Sequence, residues 1–263
     1  HRLVRRRTAV HFKGPVGTPA ARLGLTGSGG AVANRAFEVD GGSSPDESVP
    51  YALSQWRNYT LIGMDSTNPA FDDTGIEIRD NGRPQIYHSI VMDMGDDAYD
   101  VENLDGTDVD SFGGWTEAYD NFPLGGDATL YQGQTQGFQT EIADCLFFNI
   151  GGDIDPRGVG VETGKDNQVI TESPIQDVQR QTALTYTGIN VVTKLDPRPT
   201  AVAQGVTRTL PDEGFFDTVD YYGAFGPTEN WAAGWTLISA MGVLDTGTPE
   251  PLNALDVDAD QTA

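Results

Sequence analysis

The densest set of oxygen ligands in the chain runs Asp93-Met94-Gly95-Asp96-Asp97-Ala98-Tyr99-Asp100 and continues through Glu102, Asp105, Asp108 and Asp110. Carboxylates crowded onto turns are what Ca²⁺ takes as ligands, so Asp93, Asp96, Asp97 and Asp100 are the candidate set for a bound Ca²⁺. A solvated acidic edge is the competing reading. Asp108-Val109-Asp110-Ser111-Phe112-Gly113 departs from an EF-hand loop at its fifth position, where Phe112 replaces an oxygen ligand. Arg79, Arg83 and His88 lie nearby in sequence, and a basic group beside such acids is what proton abstraction from a polysaccharide requires. Against that, His88 falls on an apparent alternating face with Ile86 and Ile90, where a packed or hydrogen-bonded histidine is expected. The only other histidines are His1 and His11, too few for a histidine-rich metal site. No catalytic set emerges.

Aromatic side chains offer a second kind of chemistry. Trp56, Trp115, Trp231, Trp235 and Tyr222, with Tyr221 and Phe225, could present ring faces to the apolar faces of sugars. The alternative is structural: Phe215, Phe216, Tyr221, Phe225 and Trp235 would cap an open end of the scaffold and cover its exposed strand edge. Gly27-Ser28-Gly29-Gly30 lacks the Gly-Lys-Ser/Thr ending of a phosphate cradle and reads as a turn. Asn58-Tyr59-Thr60 is a glycosylation sequon by letter, inside an expected strand. Cys145, the single cysteine, excludes an intrachain disulfide and sits in the apolar run Cys145-Leu146-Phe147-Phe148 as a small buried hydrophobe.

The elements that would carry these residues are short and β-rich. The 263 residues include 32 glycines and 15 prolines, and no long stretch keeps the 3.6-residue period of an amphipathic helix. Runs such as 36–40, 59–64, 75–79, 85–93, 98–102 and 144–150 read as strands instead. Phe37 and Val39 alternate with Glu38 and Asp40, and Ile76 and Ile78 with Glu77 and Arg79, so one face is buried and the other wet. Asn81-Gly82 and Gly41-Gly42 supply turns, and Asn68-Pro69 favours a turn start. The intervals from Phe37 to Leu61 and from Leu61 to His88 suit one coil of a parallel β-helix, and equally a sandwich with irregular loops. A Gly-, Asp- and aromatic-rich stretch over 103–143 reads as an insertion. Glu172-Ser173-Pro174-Ile175-Gln176-Asp177-Val178 reads as one or two helical turns.

Charge divides the chain further. Asp and Glu total 39 against 16 Lys and Arg, a formal net charge of -23. Yet residues 1–37 hold Arg2, Arg5, Arg6, Arg7, Lys13, Arg22 and Arg35 and no acid, which leaves the remainder near -30. The acidic excess excludes a generic nucleic-acid binder relying on a basic surface and disfavours anionic lipid. No stretch approaches the roughly 20 apolar residues of a membrane span. Any export signal is expected upstream of His1. Arg2, Arg5, Arg6, Arg7 and Lys13 form a candidate assembly arm able to dock on an acidic body, its own or a neighbour's. A basic arm on an acidic body is also the arrangement of a coat protein.

Leu195-Asp196-Pro197-Arg198-Pro199, then Phe215-Phe216-Asp217-Thr218-Val219-Asp220-Tyr221-Tyr222-Gly223-Ala224-Phe225-Gly226, then Asn230-Trp231-Ala232-Ala233-Gly234-Trp235-Thr236 resembles the C-terminal signature of a family of large secreted bacterial proteins. Upstream, Asn58-Tyr59-Thr60-Leu61-Ile62-Gly63, Gly75-Ile76-Glu77-Ile78-Arg79-Asp80 and Tyr87-His88-Ser89-Ile90-Val91 look like that family's successive coils, so the likeness extends over about 34–243. This chain departs from the family in a shorter N-terminal part and in the 103–143 insertion. The resemblance implies an all-β, right-handed parallel β-helix, a solenoid of the pectate-lyase kind, with a C-terminal cap. It implies export and a surface or matrix role, and no established reaction. The expected organisation is a basic arm (1–35), a β-helical body (36–243) with its insertion and a cap from about 195, and an acidic tail (244–263). The expected function is a structural or assembly protein that pairs with copies of itself or with an envelope protein and needs no cofactor. The alternative is a protein that binds or cleaves polysaccharide, with Ca²⁺ a candidate cofactor.

Overall fold

The computed structural model describes residues 21–22, 35–40, 52–63, 74–79, 82–101, 138–154, 165–182, 190–210 and 216–244. The arm residues Arg2, Arg5, Arg6, Arg7 and Lys13, together with Trp115, Glu102, Asp105, Asp108, Asp110, most of the 103–143 insertion and the tail beyond Leu244, lie outside them.

The regular structure of the described residues is almost entirely strand. In order these are β1 (Ala21–Arg22), β2 (Arg35–Asp40), β3 (Ala52–Arg57), β4 (Thr60–Ile62), β5 (Thr74–Arg79), β6 (Gly82–Tyr87), β7 (Ile90–Met92), β8 (Tyr99–Val101), β9 (Glu141–Ala143), β10 (Leu146–Phe148), β11 (Gln168–Ile170), β12 (Ile175–Thr182) and β13 (Asn190–Pro199). One short helix, α1 (Leu237–Ala240), follows. Three sheets are parallel throughout, with orders β1-β4-β7-β10-β11, β2-β5-β8 and β3-β6-β9, while β12 and β13 form an antiparallel pair. From β1 to β7, therefore, each strand bonds to the strand three places further on.

Register corrects the spacing expected from sequence. Phe37 aligns with Ile76 and then Ile76 with Tyr99, whereas Leu61 aligns with Val91 and then Phe147. Phe37 and Leu61 thus lie in different sheets, and the interval between them is not a repeat. The run 85–93 is likewise two strands, β6 and β7, divided at His88-Ser89. The helical turns expected around 172–178 are absent, because Ile175 opens β12. Ile175 and Val178 there turn their apolar side chains to the second core described below.

All three parallel sheets face one core. Leu61, Val91 and Phe147 come from the five-stranded sheet, Ile76, Ile78, Tyr99 and Val101 from the β2-β5-β8 sheet, and Ile86 and Ile142 from the third. The alternation of apolar residues in β5 follows from this, since Ile76 and Ile78 point inward while Glu77 and Arg79 point out. At β4, β7 and β10 of the five-stranded sheet both faces are buried. Ile62, Ile90, Met92 and Leu146, the neighbours of its inward residues, pack outward against Val192 and Leu195 of β13 and against Tyr222, Ala224, Phe225 and Ala232. Such two-sided burial explains why β4, β7 and β10 read as continuous apolar runs. It also relocates the aromatic C-terminal segment, which lies along the outer face of this sheet where a cap over one end was expected. The Leu195–Pro199 motif of the family resemblance is the end of β13.

Candidate functional site

The corners that precede the five-stranded sheet carry the most polar chemistry of the molecule. Asn58, His88, Asp144 and Asp166 stand two residues before β4, β7, β10 and β11, and all four adopt left-handed backbone, with φ of 52°, 50°, 48° and 60°. Asn and Asp tolerate this region because a short polar side chain can bond locally, and His is also enriched there. Since Thr60, Ile90, Leu146 and Gln168 are aligned, these four residues form one ladder along the sheet. Asn58-Tyr59-Thr60 is therefore a corner, not the interior of a strand. His88 does not share a face with Ile86 and Ile90: the corner reverses the alternation, so Ile86 points into the first core and Ile90 into the second.

The C-terminal segment docks on this ladder. Asn58 donates Nδ2–H to the Tyr221 carbonyl at 2.7 Å, Gly223 N–H donates to the His88 carbonyl at 2.8 Å, and Ala224 N–H donates to Thr60 Oγ1 at 3.0 Å. The chain approaches so closely at Gly223 (φ 84°) that a Cβ there would meet Thr60 Oγ1 at 2.6 Å, so glycine is required.

Asp144 is the centre of the contact and is wholly buried. Its Oδ1 accepts from the Thr207 hydroxyl at 2.8 Å and from the Tyr222 hydroxyl, and its Oδ2 accepts from the backbone N–H of Thr207 at 3.0 Å and of Arg208 at 2.8 Å. His88 Nε2 lies 3.2 Å from Oδ2 and 3.0 Å from the Arg208 carbonyl, which fixes Nε2 as the protonated nitrogen. Burial by itself would raise the Asp144 pKa, but the bonds from His88, Tyr222, Arg208 and Thr207 outweigh it and lower it to about 2. Burial and the same carboxylate push the Tyr222 hydroxyl above its ordinary range.

A second buried carboxylate adjoins it. Glu141 accepts from Lys165 Nζ at 2.9 Å, from Arg208 at 3.1 Å and from the Tyr87 hydroxyl at 2.8 Å. Burial opposes its charge, yet Lys165, Tyr87 and Arg208 together lower its pKa. Arg83, also buried, donates to Gln139. With both oxygens of Asp144 saturated and its pKa depressed, this cluster is a poor proton acceptor and a strong mechanical fastening.

The acidic run does not converge. Asp93, buried at the corner after β7, pairs with Arg180 of β12 at 2.7 Å and accepts from Asn149 at 2.7 Å. Arg180 also donates to the Gly63 carbonyl at 2.7 Å, tying the hairpin to that corner. Asp97 accepts from the Asp153 N–H at 2.7 Å, and Gly152 fits beneath Asp96 and Asp97. Asp100 points outward from β8, in register with Glu77 and, through it, Glu38. Among the described residues, no group of three or more His, Cys, Asp or Glu side chains is placed to hold a metal ion. Arg79 is engaged with Glu38.

Of the candidate sugar-binding aromatics, the structure joins three. Phe225, Trp231 and Trp235 stack in sequence, with ring centroids 5.0 and 6.0 Å apart, and Trp235 donates its Nε1–H to the Trp231 carbonyl at 2.6 Å. The outer face of Trp235 is open to solvent, beside exposed Leu237 and Met241. Trp56 instead packs edge-on against Phe37 and Tyr59, and Tyr222 is buried on Asp144. Cys145 is buried as expected, and burial pushes its thiol up to about 12.

Compared with known protein families, characterised proteins and solved structures, the chain matches none. Among the described residues, no helix is long and apolar enough to cross a membrane.

Proposed function

We propose that the chain is a right-handed parallel β-helix serving as an extracellular structural or assembly protein of a bacterial surface or matrix, associating with itself or with envelope components. The observation that supports the reading is the parallel pairing of each strand from β1 to β7 with the third strand after it, around one core. Such stacking suits a rigid rod whose ends are natural joints. The resemblance to the secreted family supports export, and the commitment of Asp144, Glu141 and Asp93 to internal bonds supports a role without catalysis. Light scattering and negative-stain images of the purified protein test it: particles larger than one chain, alone or with envelope extract, are expected. A monomer that retains no envelope component at any concentration would end the proposal.

The Trp231–Trp235 stack favours a second reading, polysaccharide binding. Its outer ring is held flat by the Nε1–H bond and offers a face, as a pyranose requires. Affinity electrophoresis on neutral and acidic glycans, with and without Ca²⁺, tests it; unchanged mobility across the panel rejects it.

A further inference from the structure

Among the described residues four large apolar side chains are exposed, and three of them, Trp235, Leu237 and Met241, lie within one short stretch. The stack behind Trp235 is fixed from the sheet outward. Thr60 Oγ1 accepts from the Ala224 N–H at 3.0 Å, the Ala224 carbonyl accepts from Trp231 Nε1–H at 2.8 Å, and the Trp231 carbonyl accepts from Trp235 Nε1–H. Phe225 and Trp231 are within 7° of parallel, Trp231 and Trp235 within 27°. Both indole N–H groups are thereby spent inside the protein, so the Trp235 ring has only its π face to give a ligand. Such a face is electron-rich: it takes the C–H faces of a sugar and positive charge, and it repels a carboxylate.

Charge around the stack has the sign that suits a cation. Residues 209–263 contain no Lys, Arg or His. Asp217, Asp220 and Glu229 are exposed, and Glu229 stands two residues before Trp231. The three acids gather around Tyr221, whose hydroxyl is raised above its ordinary range by burial and then by their charges, and the Tyr221 ring lies 3.6 Å from where a Cβ on Gly226, beside Phe225, would stand. The bases that meet this segment from elsewhere are engaged: Arg57 lies over the Phe216 ring, 4.4 Å from its centroid, and Arg208 donates to Glu141. We propose that Trp235 is the binding platform for a cationic amino sugar, a β-linked polymer of glucosamine. The inference rests on the polysaccharide-binding reading and names its sugar. A pyranose ring lies on the Trp235 face, Leu237 and Met241 extend the apolar floor, and the protonated amines are held by the ring face and by the acids that flank the stack, Glu229 first among them. Uronate polymers are excluded by the same field.

Calorimetric titration of the purified protein with three β-linked hexamers tests it, at a pH that keeps the sugar amine protonated and the carboxylates ionised. The hexamers, of glucosamine, N-acetylglucosamine and glucose, share one backbone and differ only at the second carbon of each ring. The glucosamine hexamer is expected to bind about tenfold more tightly than the other two, the worth of a cation–π contact and an exposed ion pair, and the margin should shrink in high salt. Trp235→Ala should abolish binding of all three with an unchanged thermal melt, while Glu229→Gln should narrow the margin alone. Glucosamine binding that survives Trp235→Ala is general attraction to an acidic protein and would overturn the inference. Equal affinity for the three hexamers would overturn the amino-sugar preference and leave the polysaccharide reading standing. No binding of any hexamer, with unchanged mobility across the glycan panel, would overturn both.

Discussion

Two sets of carboxylates in this molecule face opposite fates. Asp144 and Glu141 are buried where a corner meets the C-terminal segment, and each is surrounded by donors. Glu38, Glu77 and Asp100 line up on the outer face of the β2-β5-β8 sheet, where stacking in register brings like charges one strand apart. Arg35 and Arg79 offset them there, with Arg35 Nε 2.5 Å from Glu77. A parallel register repeats whatever it is given, so an acid on the wet face accumulates repulsion. An acid at a left-handed corner is turned sideways, towards another segment, and becomes a fastening.

The sharpest way to break that contrast is Asp144→Ala. It strands the Tyr222 and Thr207 hydroxyls, two backbone N–H groups and the His88 ring in a buried contact. A loss of about 4 kcal/mol in chemical denaturation is expected, and a loss below ~1 kcal/mol would show that the corner is not a fastening. Tyr222→Phe, which removes one hydroxyl donor to a carboxylate, should cost about 2 kcal/mol by the same measurement.

Acid provides a third test. The Asp144 pKa is lowered on folding, so its contribution is fully present above the ordinary value of 3.8 and fades as pH falls through about 2. The loss should be on the order of 2 kcal/mol, and Asp144→Asn should flatten that limb of the stability profile. For Glu77 the sign is reversed. Burial raises its pKa and Glu38 and Asp100 add to this, against the opposing pull of Arg35 and Arg79. Stability is therefore lost as pH rises from the ordinary value of 4.5 through its raised pKa. Glu77→Gln should stabilise the fold at neutral pH by under ~1 kcal/mol, read as a small rise in Tm. The smallest effect belongs to Trp235→Ala, within about 0.5 kcal/mol of wild type because the ring is exposed. Any glycan binding should vanish with it.

Strand content was legible in the sequence, and so was the inward face of β5, because alternation of Ile76 and Ile78 with Glu77 and Arg79 is a direct print of the pleat. What alternation conceals is a corner. His88 looked in phase with Ile86 and Ile90 only because left-handed backbone at His88 and the non-strand Ser89 replaced two residues of strand. A signal was present nonetheless. Asn58-Tyr59-Thr60-Leu61-Ile62, His88-Ser89-Ile90-Val91-Met92, Asp144-Cys145-Leu146-Phe147-Phe148 and Asp166-Asn167-Gln168-Val169-Ile170 repeat one pattern. Each has a residue tolerant of positive φ, a spacer and a three-residue strand. The Asp144 contacts were less accessible, since Thr207, Arg208 and Tyr222 are brought in from far along the chain by the packing of a second core. Of the tryptophans, only Trp231 and Trp235 lay close enough in sequence for spacing to place them together.

Residues 102–137 separate Val101 at the end of β8 from Phe138 ahead of β9 in sequence, and β9 keeps the alignment of its sheet: Ile86 meets Ile142 and Tyr87 meets Ala143. The preceding step, from Trp56 to Ile86, needs far fewer residues for the same alignment. Alignment is thus set by the corners and the inward residues, not by the length of chain between them. That makes the junction a natural port for exchange: foreign sequence placed there would be carried at a fixed position between β8 and β9 while the three sheets keep their geometry.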